Sequence, residues 1–277
     1  MLAAYRFGIS HYQRPLQGLT RPLRVAQLSD LHLGFWIQKG SLEAWVRATN
    51  AEAPELVVIT GDLTDSSRPY QVLPALPVLG QLLAPLGVWA VWGNHDYRFN
   101  GYRIKERVEG APPPRTFLSA FDPPQKVPMY PPEALAARLR EVGVEVLRNR
   151  GVSLREDLFL AGVDDLWHGE PDVVAAFRGA PPQSARLLLA HNPDYLYQVA
   201  QAAQRPSFTL CGHTHGGQIV LGGYGPVFTS SQYGQKFAQG FVEDPVPAFV
   251  SRGLGVSSAP LRYRCDAELV IFEFVPL

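Results

Sequence analysis

Residues 55–65 read Glu55-Leu56-Val57-Val58-Ile59-Thr60-Gly61-Asp62-Leu63-Thr64-Asp65. An apolar, β-branched run breaks off at a glycine and delivers an aspartate, the pattern of a buried strand that ends in a polar turn. The same pattern recurs on both sides. Upstream, Leu23 to Ser29 reads as a strand that ends in Asp30-Leu31-His32. Downstream, Gly87 to Trp92 leads into Gly93-Asn94-His95-Asp96, Arg186 to Ala190 into His191-Asn192, and Ser207 to Cys211 into Gly212-His213-Thr214-His215. In open α/β sheets, ligands bind outside the carboxyl ends of the strands. Five polar clusters at strand ends are therefore expected to converge on one place.

Helical patterns lie between these strands. Ser41 to Glu52 is expected to be helical with Ser41 as its N-cap, and Tyr70 to Ala84 helical but kinked or delayed by Pro74 and Pro77. Pro132 to Val142 carries proline in its first turn. Shorter helices are expected near Pro171 to Phe177 and Asp194 to Ala203, and further strands at Val144 to Leu147, Leu158 to Val163, Ala248 to Ser251 and Leu269 to Phe274. The alternation points to an α/β chain, with two packed sheets and helices on their outer faces. One stretch breaks the rhythm. Residues 98–131 hold Pro112 to Pro114, Pro123, Pro124, Pro128 and Pro131 together with Tyr102, Phe117, Phe121 and Tyr130. Long loops inside a domain are usually functional or unstructured, and the aromatics favour an ordered flap inserted in a single domain spanning 1–277.

The chain is 46% hydrophobic and 18% charged, enough to bury a core and far from a disordered composition. Its 25 basic and 25 acidic residues cancel, and no Lys/Arg run is present, which removes the electrostatic footprint of a nucleic-acid binder. Lys39, Lys105, Lys126 and Lys236 are the lysines, so most positive charge is arginine, the side chain suited to bidentate phosphate contacts. Cys211 and Cys265 form no CxxC pair and read as reduced, buried thiols, in keeping with a cytoplasmic location. No apolar run approaches the roughly 18 residues of a membrane span. Met1 to Pro22 lacks the apolar core of a signal peptide, which leaves short amphipathic, peripheral contact as the remaining membrane arrangement. His11 and His168 belong to no cluster and are expected at the surface. Among the tryptophans, Trp36 is placed to line the cleft, because Phe35-Trp36 follows Asp-x-His, and the others read as core.

Imidazole and carboxylate ligands together suit Mn, Fe, Zn or Co and suit Ca poorly. If the chain is extended at Asp30-Leu31-His32, both polar side chains point to the same side and can bind one cation. His213 and His215 have the same spacing, although a turn there could aim them at different cations. Gly61 and Gly93 are expected to let the backbone turn sharply. Asp96 is suited equally to orienting His95 and to capping a helix start. Asp65 is expected to support the loop that presents Asp62. Asp164 and Asp165 read as turn residues in preference to supports of the cluster.

The five clusters match, in order, the motifs D-x-H, G-D-x-x-D, G-N-H-D/E, H and G-H-x-H. In this the sequence resembles the calcineurin-like metallophosphoesterase superfamily. Leu189 to Asp194, Gly212 to Gln218 (GHTHGGQ), and Arg252-Gly253-Leu254-Gly255 followed by Arg262 and Glu268 resemble a bacterial subgroup that includes small phosphodiesterases. The resemblance implies a four-layer αββα sandwich of two mixed β-sheets flanked by helices. It implies a first divalent metal on Asp30, His32, Asp62 and His215, a second on Asp62, Asn94, His191 and His213, and Asp62 between them. His95, beside Asp96, would face the substrate as proton donor. Two cations roughly 3.5–4 Å apart can clamp the attacking and leaving oxygens of an in-line displacement, with hydroxide available near neutral pH. Manganese stands among the implied metals with Fe, Zn and Co. The activity implied is hydrolysis of a phosphodiester or monoester. The alternative is a pyrophosphatase of a nucleotide-linked lipid, similar to UDP-diacylglucosamine hydrolases. A metal-binding interaction scaffold is the non-enzyme alternative, and the intact ligand set with His95 counts against it.

Overall fold

The strand that delivers Asp62 lies inside a six-stranded sheet of the computed structural model, which describes residues 6–65, 69–100, 129, 131–257 and 259–277. In chain order the elements begin with β1 (Phe7–Leu16), β2 (Leu23–Leu28), α1 (Lys39–Ala51), β3 (Leu56–Ile59), α2 (Leu76–Leu79), β4 (Val88–Ala90), α3 (Glu133–Glu141) and β5 (Val144–Val146). They continue with β6 (Arg150–Arg155), β7 (Leu158–Gly162), α4 (Val173–Ala176), β8 (Ala185–Leu189), α5 (Leu196–Val199) and β9 (Phe208–Cys211). The last are β10 (Val220–Leu221), β11 (Gly225–Pro226), β12 (Gly240–Val242), β13 (Ala248–Val250) and β14 (Ala267–Pro276). One sheet has the order β1-β14-β2-β3-β4-β5, the other β12-β13-β9-β8-β7-β6, and β10 pairs with β11 in a small hairpin. Both large sheets are mixed. β2 to β5 run parallel with β14 antiparallel to β2, while β7, β8, β9 and β13 run parallel between antiparallel edges.

The pleat explains the layers. On β3, Leu56 and Val58 face the second sheet, while Val57 and Ile59 face helices; both sets are buried, so the strand reads as a continuous apolar run. Leu160, Leu187, Leu189 and Phe208 of the second sheet meet Phe272 and Phe274 of the first across the middle. Each such side chain contributes about 1.5–3 kcal/mol on full burial. α1 buries Leu42, Trp45, Val46 and Thr49, a stripe spaced by three and four, against the outer face of the first sheet. α4 and α5 bury Val173, Ala176, Leu196 and Val199 on the outer face of the second. The result is the expected αββα sandwich.

Several boundaries differ from the sequence reading. α1 starts at Lys39 with Gln38 as its N-cap and no side-chain cap, so Ser41 is inside the helix rather than capping it. The 70–84 region is a 3₁₀ turn at Pro69–Ala75 followed by the short α2, as Pro74 and Pro77 each remove an amide donor. β1, β6 and β10 to β12 are strands the pattern did not mark. β1 turns the N-terminal segment into an edge strand parallel to β14. Among the described residues, no helix is long and apolar enough to cross a membrane. The flap expected at 98–131 lies outside the described residues except for 98–100, 129 and 131.

Candidate metal centre

The polar clusters occupy the carboxyl ends of β2, β3, β4, β8 and β9, and the structure gathers them. The β2–β3 pairing continues past the strand ends through Asp30 N–H to Gly61 O at 3.0 Å, His32 N–H to Asp62 O at 2.9 Å and Leu33 N–H to Leu63 O at 2.9 Å. Yet the backbone there is not extended. Asp30, His32 and Asp62 have φ of 52°, 45° and 52°, and His213 and His215 have 76° and 53°. This corrects the expectation that Asp-x-His shares a cation through strand alternation: left-handed turns aim the side chains. Gly61 does turn, at φ 90°, and a methyl there would sit 2.5 Å from His191 Nδ1. Gly93 has no left-handed φ. Its role is close approach, since a methyl would lie 2.2 Å from Asp62 Oδ1.

Two groups of ligand atoms result. One atom each from Asp30, His32, Asp62 and His215 lies within 4.8 Å of the others, and the same holds for Asp62, His191 and His213. All are buried. His32 Nε2 is 3.0 Å from His215 Nε2, and His215 Nε2 is 3.4 Å from Asp30 Oδ1. His191 Nε2 is 3.1 Å from His213 Nδ1. Asp62 Oδ2 belongs to both groups, 3.5 Å from His32 Nε2 and 3.3 Å from His191 Nε2. His191 Nδ1 lies 2.7 Å from the Thr60 carbonyl, a contact that needs the proton on Nδ1, so Nε2 is the nitrogen that would face a cation.

The donor set fits divalent cations. Asn94 Oδ1 is buried with no hydrogen-bond partner, a deficit that usually costs about 1–3 kcal/mol. Burial lowers the pKa of His213 to about 3 and holds His215 well below its ordinary value, so both are neutral imidazoles able to ligate. Burial alone would raise Asp62, but His191, His95 and His32 outweigh it and hold the carboxyl well down. Burial also opposes a charged His191, yet Asp62 lifts it to about 10. The positive charge that Asp62 draws onto His191 is the charge a bound cation would supply.

His95 is half-buried, with its ring edge-on to His32 at 4.6 Å between centroids, and its backbone N–H donates to Asp62 Oδ1 at 2.9 Å. Asp96 accepts Thr64 N–H on one oxygen and Gly93 N–H on the other, each at 2.9 Å, and these two bonds brace the loops that carry Asp62 and Asn94. Asp65 N–H donates to Leu33 O at 3.1 Å, within the same pair of loops. Asp164 accepts Tyr97 OH, Arg148 Nε and two backbone amides. Asp165 Oδ2 accepts Trp167 and His168 N–H at 2.9 and 2.7 Å, the turn role expected of it. His11 is exposed, but His168 is only 8% exposed, which corrects its placement at the surface: Asp165 holds its backbone, and Tyr97 packs 6.0 Å from its ring. Trp167, read as core, is half-buried and meets His213 edge-on at 4.4 Å; no periodic signal marks it. Buried Arg262 donates to the carbonyls of Arg252, Gly253 and Gly255, and that turn backs Asp30 through Gly255 N–H to Asp30 O at 2.8 Å. Cys211 and Cys265 are free and buried, as expected.

A family model described as calcineurin-like phosphoesterase matches residues 23–217. The chain is 30% identical over 255 residues to YkuE, an uncharacterized metallophosphoesterase of Bacillus subtilis, with 90% of this chain and 78% of that protein covered. It is 27% identical over 258 residues to the UDP-2,3-diacylglucosamine pyrophosphatase LpxG of Chlamydia trachomatis, covering 84% of this chain and 78% of that protein. It is also 29% identical over 266 residues to a transmembrane protein with metallophosphoesterase domain of Bos taurus, covering 89% of this chain but only 52% of that protein's length.

Proposed function

The chain belongs to the calcineurin-like phosphoesterase family and is a hydrolase of phosphoric esters; on that premise we propose that it cleaves a phosphodiester or monoester at a two-cation centre. Asp30, His32, Asp62 and His215 would hold one cation, and Asp62, Asn94, His191 and His213 the other. The observation that carries this reading is Asp62 Oδ2, which stands between the two ligand groups. Bound cations supply a nucleophile near neutral pH and positive charge against the phosphoryl oxygens.

The chain's own residues do the positioning. The His95 backbone N–H donates to Asp62 Oδ1 and so helps to hold the carboxylate between the two groups. His95 stands against His32 on the half-open side, where it can give a hydrogen bond or a proton to the leaving oxygen, a contribution typically worth about 10²–10⁴ in rate. Asp96 keeps the His95 loop and the Asp62 loop in register. Manganese, iron, zinc and cobalt all suit the donor set.

The test is hydrolysis of bis-p-nitrophenyl phosphate and p-nitrophenyl phosphate after stripping metals and adding back Mn, Fe, Zn or Co singly, with Asp62→Ala and His95→Ala beside the parent. The reading requires metal-dependent cleavage that both substitutions abolish or nearly abolish. Folded, metal-loaded protein that cleaves neither ester would sink it.

A narrower reading, a pyrophosphatase of a nucleotide-linked lipid, draws support from the LpxG relative and from exposed apolar side chains near the GHTHGGQ loop. Leu221, Tyr224, Leu261 and Tyr263 are 46%, 66%, 49% and 52% exposed, and Val220 N–H bonds Tyr263 O beside Gln218. Such a rim suits acyl chains and peripheral contact with a lipid surface. Faster release of UMP from UDP-2,3-diacylglucosamine in mixed micelles than from soluble UDP-N-acetylglucosamine would support it, and equal rates would oppose it.

A further inference from the structure

Strand β2 sends Leu23 and Val25 between the two sheets, and the pleat puts Gln27 on the same side. Gln27 is fully buried there. Its Nε2 donates to the Cys211 carbonyl on β9 at 2.9 Å and to Thr60 Oγ1 at 3.0 Å. A carbonyl can only accept, so Cys211 determines which end of the amide faces it. The remaining directions follow. Thr60 Oγ1 accepts from Gln27, and its single proton goes to Ser29 Oγ at 2.7 Å. Ser29 Oγ in turn donates to Asp30 Oδ2 at 2.5 Å. Gln27, Ser29, Asp30 and Thr60 are all 0% exposed, so solvent offers none of them another partner.

Asp30 Oδ2 is thereby engaged, while Oδ1 is the atom 3.4 Å from His215 Nε2 in the first ligand group. The His213 N–H reaches both oxygens, at 3.0 and 3.1 Å, and does not by itself choose between them. The hydroxyl chain does. Thr60 also serves the second group, because its carbonyl lies 2.7 Å from His191 Nδ1 and so leaves Nε2 as the ligand atom.

We propose that Thr60 is the positioning residue that ties the two half-sites together: its hydroxyl, in the chain Gln27–Thr60–Ser29, sets which Asp30 oxygen faces the first cation, and its carbonyl sets the ring of His191 for the second. This rests on the two-cation reading above. It makes the two roles separable. Thr60→Val removes the hydroxyl and keeps the carbonyl and the side-chain size, so it acts on the first half-site alone.

The experiment is calorimetric titration of metal-stripped protein with Mn(II), with near-ultraviolet circular dichroism to confirm folding. Thr60→Val and Thr60→Ser are made in the parent chain, in His213→Ala, which leaves the first half-site, and in His215→Ala, which leaves the second. Outer partners of metal ligands usually tune affinity by about 10- to 100-fold. Thr60→Val should therefore weaken Mn(II) binding by that factor in the His213→Ala background, leave the His215→Ala background unchanged, and be rescued by Thr60→Ser. Should Thr60→Val not fold, Ser29→Ala, which removes the last link, replaces it in the same titrations. Unchanged affinity in the His213→Ala background, or equal weakening in both backgrounds, would overturn the proposal. A parent chain that takes up fewer than two Mn(II) would overturn the two-cation reading, and this inference with it.

Discussion

Gly93 has no side chain with which to do chemistry, yet Gly93→Ala should disable the site. A methyl on its Cα lies 2.2 Å from Asp62 Oδ1 and 2.5 Å from the Asp62 amide nitrogen. Ordinary contact begins at 3.4 Å, so relief requires the carboxylate or the 93–96 loop to retreat by about 1.2 Å, the difference between 3.4 and 2.2 Å. Neither is free to do so. Asp62 Oδ1 accepts the His95 N–H, Oδ2 faces His32 and His191, and the Gly93 N–H is held by Asp96. Misplacement by about 1 Å at a reacting centre costs on the order of 100-fold in rate, equivalent to about 2.7 kcal/mol of barrier. Gly93→Ala should therefore lower kcat on bis-p-nitrophenyl phosphate by about 100-fold and reduce the Mn(II) retained after gel filtration. Gly40→Ala is the matched control. No atom lies within 4 Å of its added methyl, and alanine inside a helix is favoured over glycine by roughly 0.8–1 kcal/mol, so activity should hold and Tm should not fall. A Gly93→Ala enzyme with parental kcat and full metal content would refute the close-approach argument.

Two further outcomes follow from other parts of the structure. Burial would raise the Asp157 carboxyl, but the Thr20 N–H and hydroxyl and the Arg155 guanidinium outweigh it and hold it at about 2, below the ordinary 3.8. A depressed folded-state pKa stabilises the fold above the unfolded value and loses that contribution as pH falls toward the folded one. Asp157→Asn should cost about 2 kcal/mol at pH 7, read from urea unfolding, with a deficit that narrows below about pH 4; a deficit independent of pH would contradict the assignment. Removing metal should lower Tm, because cations held at 1,000 times their Kd stabilise a fold by about 4 kcal/mol per site, on the order of 10 °C for a chain of this size. A thermal scan with and without a chelator, followed by Mn(II) readdition, checks this, and a chelator shift under about 1 °C would count against resident cations.

What could be read from the sequence was whatever repeats locally. Leu56 to Ile59 and Leu187 to Leu189 are apolar on both faces, because each sheet is covered on both sides. The five polar clusters were visible because each follows such a run. β1 was not visible, because of its ten residues only Leu16 is fully buried and its partner β14 lies at the other end of the chain. Ser41 looked like a cap, but the helix begins two residues earlier, after Gln38, whose side chain makes no capping hydrogen bond. His168 and Trp167 stood outside every motif; the Asp165 carboxylate that organises their backbone amides is what brings that turn to His213. Tertiary partners of this kind leave no periodicity to find.

The same limit explains why the Asp-x-His spacing picked out residues that the structure does bring together and was wrong about how they are presented. A strand would place Asp30 and His32 on one face by alternation, but five of the seven expected ligand residues, Asp30, His32, Asp62, His213 and His215, have left-handed backbones. A non-glycine residue there costs about 1–3 kcal/mol and persists only where its surroundings over-determine it. Asp and His are among the residue types that tolerate that region best, so one choice of residue suits the turn and would suit the proposed cation as well. The surroundings supply the rest. Asp30 and His32 are bonded through their amides to the β3 loop, His213 N–H to the Asp30 carboxylate, and Gly255 N–H to the Asp30 carbonyl. These restraints come from β2, β3, β9 and the turn that Arg262 holds, so the ligand geometry depends on both sheets being packed. A substitution that loosens the contact between the sheets without touching the site, such as Phe272→Ala at their shared core, should therefore cost cation affinity as well as the roughly 3–5 kcal/mol of stability expected for a buried phenylalanine. Full Mn(II) affinity in a Phe272→Ala protein destabilised by that amount would show that the site holds its shape without the sandwich beneath it.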